Sequence, residues 1–307
     1  MSIPKHLPRW LFLFLAVLLA PTVAPTPASA ANLTAALAYV PRQAIAVGTV
    51  DVDRLRRVPL FKAQLDDLFL QVPDAKRERD ALQKATGFDP VRDLHGVVGA
   101  LGPNFERDDS DFVAIAQARI NEKRLVAYLK TKGADVREVR GRSGRHYLLD
   151  EGLALAFRGP LVLAGGKDMV LSALTRKGAD PKLKKLLSPF VLKDLAFAAL
   201  VPERLRRDAR REMAELGALE NVRGGIDLQR GLDLDVRAGF TDPTSARAVG
   251  RTANMFLDRL RQETSGGGFG KFARKLRVQT TGVDLRATLQ LSRAEVEELV
   301  GLLEALM

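Results

Sequence analysis

The sequence predicts an α+β fold of two related halves, each a mostly antiparallel sheet packed against amphipathic helices. Three observations predict it. Short apolar runs bounded by turn residues, such as Ala44–Val50 and Leu195–Leu200, are followed by stretches in which apolar residues recur every three or four positions. Segments of period two, Leu232–Phe240 and Leu276–Leu291, read as hairpin strands. The order of elements also repeats. Ile45–Val50 runs into Arg54-Leu55-Arg56-Arg57, and Leu195–Leu200 runs into Arg204-Leu205-Arg206-Arg207, 150 residues further on.

Ahead of both halves stand Lys5 and Arg9, an apolar run from Trp10 to Ala20, three prolines (Pro21, Pro25 and Pro27), and Ala28-Ser29-Ala30. That order predicts a signal peptide over 1–30, with Ala31 as the mature N-terminus and a periplasmic or extracellular destination. The apolar run is shorter than the roughly 20 residues of a spanning helix and is closed by proline. No cysteine exists to be lipidated, oxidised or used as a thiolate. Removing 30 of 307 residues leaves 277, enough to bury a full core without disulfides.

In the first half, 31–178, the strand Ile45–Val50 precedes a helix opened by Asp51-Val52-Asp53, with Phe61, Leu65, Leu68 and Phe69 on one face. A second helix runs from about Asp74 to Ala85 and stops at Gly87, after which Asp89-Pro90 turns the chain. Strands Gly96–Leu101 and Phe112–Arg119 flank the acidic loop Glu106–Asp111. Asn121 caps a helix through about Lys132 with Leu125, Tyr128 and Leu129 inward. Three strands follow, near Arg145–Leu149, Leu153–Phe157 and Leu161–Ala164, then a helix ending near Leu174. The divide falls in the polar stretch Lys177–Lys182.

In the second half, 179–307, the helix after Leu195–Leu200 places Leu205, Ala209, Met213 and Leu216 on one face. The repeat predicts Leu55 and Leu205 both buried and their flanking arginines exposed. Val222–Leu228 and Leu232–Phe240 pair with Leu232, Leu234 and Val236 inward and Asp233, Asp235 and Arg237 outward. Asp242-Pro243-Thr244 opens a long helix with inner face Val249, Ala253, Phe256 and Leu260. The last hairpin alternates through Val283, Leu285, Ala287, Leu289 and Leu291. Ser292-Arg293-Ala294-Glu295 is a capping box, and Val296, Leu299, Val300 and Leu303 stripe the final helix.

The line Gly87-Phe88-Asp89-Pro90-Val91-Arg92-Asp93-Leu94 before a Gly-rich apolar strand, with the Tyr39-Val40-Pro41 opening that runs to Val50, resembles exported bacterial proteins of unknown function with duplicated α+β halves. The resemblance spans most of the chain after the leader. It implies the two-half architecture and no reaction.

The residues themselves offer no coherent catalytic set. His95 and His146 fall in different strands with no cysteine beside them, which does not make a zinc site. No Gly-x-Ser-x-Gly elbow accompanies either histidine. Ser265-Gly266-Gly267-Gly268-Phe269-Gly270-Lys271 imitates a phosphate loop, but Ser265 replaces its first glycine and Phe272 its magnesium-holding hydroxyl. Asp108, Asp109 and Asp111 lack the glycine and distant glutamate of a calcium loop and read as a solvated hairpin tip. No cofactor motif is present.

What remains is charge. The chain carries +11, or +9 once Lys5 and Arg9 leave, which favours anionic partners. Arg204, Arg206, Arg207, Arg210 and Arg211 lie on one short helix, with Lys182, Lys184 and Lys185 just upstream. Arginines at i and i+4 can grip phosphate or carboxylate with bidentate forks, although Glu203, Asp208 and Glu212 interleave with them. The expected function is therefore an exported, non-enzymatic binding module contacting an anionic envelope component or partner protein. A carboxylate-dependent envelope hydrolase and a nucleic-acid-binding protein are the alternatives. The scarcity of aromatic platforms, with tyrosine only at Tyr39, Tyr128 and Tyr147 and the single tryptophan, Trp10, in the leader, weighs against nucleic acid.

Overall fold

The structure, a computed structural model, describes residues 33–59, 73–141, 144–149, 152–175, 178–263 and 270–304. The leader at 1–30, the apolar face at Phe61, Leu65, Leu68 and Phe69, and residues 265–269 of the Gly-rich loop lie outside the described residues. In chain order the elements are α1 (Leu33–Leu37), β1 (Ala46–Asp51), α2 (Val52–Leu55), α3 (Pro73–Thr86), α4 (Pro90–Asp93), β2 (Leu94–Leu101), β3 (Phe112–Ala118), α5 (Glu122–Thr131), β4 (Arg137–Gly141), β5 (Gly144–Leu148), β6 (Leu153–Arg158), β7 (Leu161–Gly166) and α6 (Lys167–Leu174). There follow α7 (Pro181–Leu187), β8 (Leu195–Leu200), α8 (Glu203–Glu212), β9 (Leu219–Asp227), β10 (Gly231–Phe240), α9 (Pro243–Glu263), α10 (Gly270–Lys275), β11 (Arg277–Thr281), β12 (Asp284–Ser292) and α11 (Arg293–Glu304). The fold is α+β with antiparallel pairing, as its strand patterns require. The chain divides into two compact units, one holding residues up to Arg42 and Val50–Ala179, the other Gln43–Thr49 and Asp180–Met307.

In the first unit the strands lie in the order β2-β3-β7-β6-β5-β4, every neighbour antiparallel. Ala114, Ala116 and Ala118 alternate along β3 and join Leu125 and Leu129 of α5 in one buried cluster with Leu94, Leu155 and Val162. Leu125 and Leu129 are four residues apart and so share a helix face. The side chain of Asn121 accepts the Arg124 N–H at 3.1 Å, so α5 begins where the cap predicts. α3 ends at Gly87, whose φ of +76° is the left-handed conformation that stops helices. The Tyr147 hydroxyl donates to Glu122 at 2.7 Å and ties β5 to the start of α5. Burial, then the adjacent Glu122, pushes that phenol up to about 12. The sequence predicts three strands after α5, whereas the structure has four. The additional one is β4, whose charged residues face solvent at the sheet edge.

In the second unit the order is β11-β12-β10-β9-β8-β1. The Leu200 N–H donates to the Ile45 carbonyl at 2.7 Å, beside the start of β1. The final capping box forms as predicted, with the Ser292 N–H donating to Glu295 at 2.9 Å and the Glu295 N–H to Ser292 Oγ at 3.4 Å. Two apolar faces differ from expectation. In α9 the buried residues include Ala246, Gly250 and Leu257, while Phe256 is 67 % exposed. Phe256 lies about 100° around the helix axis from Leu257, so a face centred on Leu257 turns it outward. Val283 sits in the hairpin turn after Gly282 and is exposed rather than part of the inward row.

The carboxylate of Asp194, fully buried just before β8, accepts the Leu228 N–H at 2.6 Å and the Gln229 side-chain amide at 2.8 Å. It holds the β9–β10 turn against the start of β8. Asp194→Ala removes both acceptors and leaves the half-buried Leu228 N–H without its carboxylate. The second unit should lose about 2–4 kcal/mol in urea unfolding with an unchanged m-value; a loss below about 0.5 kcal/mol would show that the turn holds without this tie.

Candidate basic surface

α8 forms on the segment Glu-Arg-Leu-Arg-Arg-Asp-Ala-Arg-Arg-Glu, with Glu203 in the first turn and Arg210 and Arg211 in the last, which suits the helix dipole. None of its residues is buried. Arg206 pairs with Glu203, and Arg211 lies 3.7 Å from Asp208. Among the described residues Arg207 and Arg210 have no ion-pair partner. Arg204 is exposed and held by a partner of its own. The Arg210 side chain passes so near Gly217, in the 3₁₀ turn Ala214–Ala218, that a Cβ there would lie 2.5 Å from its Nε. Glycine at that position is what lets the turn approach the helix.

The predicted apolar face of this helix is not realised. Leu205 is 37 % exposed whereas Leu55 is 2 % exposed, and the helix ends at Glu212, with Met213 in extended conformation. The arginines also differ from expectation, because Arg56 and Arg206 are both largely covered. α8 lies against the 3₁₀ turn with the Arg210 stem at Gly217, and Leu205 is left only partly covered.

In α7 Asp180 caps the helix by accepting the Lys182 N–H at 2.7 Å. Leu183 and Leu187 are buried, and Lys182, Lys184 and Lys185 are exposed. Lys182 Nζ lies 3.8 Å from Glu220, whose carbonyl accepts the Val201 N–H two residues before α8. The structure thus brings Lys182 to the start of α8.

The outward carboxylates Asp233 and Asp235 have unequal environments, and Asp235 corrects the expectation that both face solvent. It is buried, and its two oxygens each accept from both Arg237 and Arg286 at 2.9–3.2 Å. Burial alone would raise its pKa. The two guanidiniums outweigh that and hold the carboxyl below the usual range. Asp233 is more open and pairs with Lys193.

A second polar group went unread in the sequence. The Nδ1 of His95 lies 3.1–3.2 Å from both oxygens of Asp53, which also accepts from Arg56 at 2.7 Å. Arg56 donates in turn to the Leu94 carbonyl. Burial lowers the Arg56 pKa, only partly offset by the carboxylates of Asp53, Asp93 and Asp89. This cluster clips α2 to the start of β2. His146 is buried in β5 near its own Gly144 carbonyl, and the two histidines do not meet. Asp108 accepts from Ser110 and Asp111 from the Asn104 N–H, so these acids shape their own loop. Among the described residues no group of three or more His, Asp or Glu could hold a metal ion. A cavity of about 10 Å³ lined by Phe88, Ala114, Ala116, Ala118, Ile120, Val162 and Ala164 contains no titratable side chain.

Asp235 makes acid stability testable. Its folded pKa lies below that of an unfolded aspartate, about 3.9, so its stabilisation is complete above that pH and is lost as pH falls through the folded value. Thermal melts from pH 6 down to pH 2 should show a steeper fall for the wild type than for Asp235→Asn, which has no carboxylate to protonate. Parallel curves would assign acid sensitivity to other groups.

No protein-family model matches the chain, and no curated protein matches it. Among solved structures, crystal form I of TP0453 aligns over 88 % of this chain and 96 % of its own, with 12 % identity and a TM-score of 0.48. A likeness at that level carries no argument about fold or function.

Proposed function

We propose that this chain is an exported, non-enzymatic binding module of the cell envelope that contacts an anionic component or partner protein through α7 and α8. One observation carries the reading: a ten-residue helix with five arginines buries none of its residues, so the core gives no account of its composition. Arg207 and Arg210 lack ion-pair partners among the described residues, and Lys184 and Lys185 extend the charge from the neighbouring helix. Export rests on the leader pattern at 1–30, and mass spectrometry of the protein recovered outside the cytoplasm should find Ala31 at its N-terminus.

The same proposal includes an internal duplication. Strand orders β2-β3-β7-β6 and β9-β10-β12-β11 each place a hairpin, a helix and a later hairpin in the same sequence once β4 and β5, which the first unit adds after its helix, are set aside, and this supports descent from one ancestral half. The first Arg-Leu-Arg-Arg segment closes the one-turn helix α2 whereas the second opens α8, so the two copies differ in local structure as well as in side-chain environment.

Envelope fractions provide the test. The mature protein should sediment with them at low salt and release as salt rises, because exposed charge contacts weaken with the Debye length. Arg207→Gln/Arg210→Gln should lower the apparent affinity on the order of tenfold, about 1.4 kcal/mol. Sedimentation that is equal in both proteins and indifferent to salt would refute the basic surface.

A further inference from the structure

We propose that the arginine-bearing face of β10, β12 and β11, closed at β10 and opening toward β11, is a second anion-recognition surface, suited to an acidic polysaccharide lying across the strands. The register assembles it. Directly opposed residues share a face of an antiparallel sheet, and Arg223, Arg237, Arg286 and Gln279 form one row across four neighbouring strands. Asp235, Thr288 and Arg277 form the row on one side of it, and Gly239, Asp284 and Thr281 the row on the other.

Like charges placed directly opposite one another destabilise a sheet, so three arginines in one row need a counterweight. Asp235 supplies it to Arg237 and Arg286, and Asp284 to Arg223 at 2.9 Å. Arg277 has no ion-pair partner among the described residues. Three guanidiniums therefore share two carboxylates, and a fourth stands beside them unpaired. Side-chain exposure rises along the row, from 12 % at Arg223 to 31 % at Arg237 and 48 % at Arg286. Arg277, Gln279 and Thr281 beyond them are exposed as well, so the surplus charge sits where solvent and ligand reach it.

The chemistry of the face selects among polyanions. Neighbouring strands stand about 4.8 Å apart, so anionic groups recurring at a similar interval along an extended chain meet successive guanidiniums. Gln279, Thr281 and Thr288 offer amide and hydroxyl groups to sugar hydroxyls. Phe190, an aromatic ring beside this face, is buried and covered by Arg237 at 5.3 Å, so it is not open for stacking a base. Carboxylated sugars fit these features better than nucleic acid.

The inference stands apart from the α7–α8 reading, and the variants separate them. Binding of a fluorescent decagalacturonate to the full chain is measured by anisotropy at several salt concentrations. Arg277→Gln, which breaks no ion pair among the described residues, should weaken binding about fivefold and flatten the salt dependence. Arg277→Lys should restore part of the loss, while Arg207→Gln/Arg210→Gln should stay within twofold of wild type. Equal binding by wild type and Arg277→Gln would overturn the proposal. So would equal competition by a neutral dextran decamer, or tighter binding of a single-stranded DNA decamer.

Discussion

A carboxylate set into the middle of a β-ladder and closed off from water has to be answered by cations, and Asp235 imposes that requirement on the second unit. Arg237 reaches it from the same strand and Arg286 from the neighbouring one, so the charge is neutralised across the β10–β12 ladder. Arg237 can then lie over Phe190, which follows α7, while Lys193 just beyond takes Asp233. One buried charge thereby joins the central strands to the segment between α7 and β8. In a chain with no cysteine, such polar ties across the sheet do part of what disulfides do elsewhere. Asp194 does the same at the β9–β10 turn.

The first unit solves a similar problem differently. Asp53 is matched by Arg56 within its own turn and by His95 from a strand 42 residues away. The Arg-Leu-Arg-Arg segment there serves packing: Leu55 enters the core and Arg56 closes over a backbone carbonyl. The same four residue types in α8 lie on a helix that buries none of them. Identical local sequence thus produces an internal clip in one place and a solvent-facing helix in the other, and tertiary surroundings decide which.

What was legible in the sequence follows the range of the physics involved. Asn121, Gly87 and the Ser292–Glu295 box act within one helical turn, and each stands where the residues place it. Period two identified β10 and β12 and showed that Asp235 opposes Leu234 and Val236 in facing. It could not say that the polar face is partly closed, because that depends on arginines brought by register from other strands. β4 escaped notice because an edge strand defended by Arg137, Glu138 and Arg140 looks like a loop in composition. Phe256 was misplaced because a helix with apolar residues at 249, 253, 256, 257 and 260 has two candidate faces, and only packing chooses between them. The basic helix was found by composition alone, whereas the row of arginines across the sheet needed the register.

That α8 buries none of its residues has an evolutionary side. Substitutions on a surface helix with no core role usually change stability by less than about 0.5 kcal/mol, so selection for stability scarcely constrains these ten positions. The helix can be rewritten residue by residue while the sheet behind it stays the same. Lineages carrying this fold can change the charge they present by changing one short stretch of sequence, and its composition should drift faster than that of the strands.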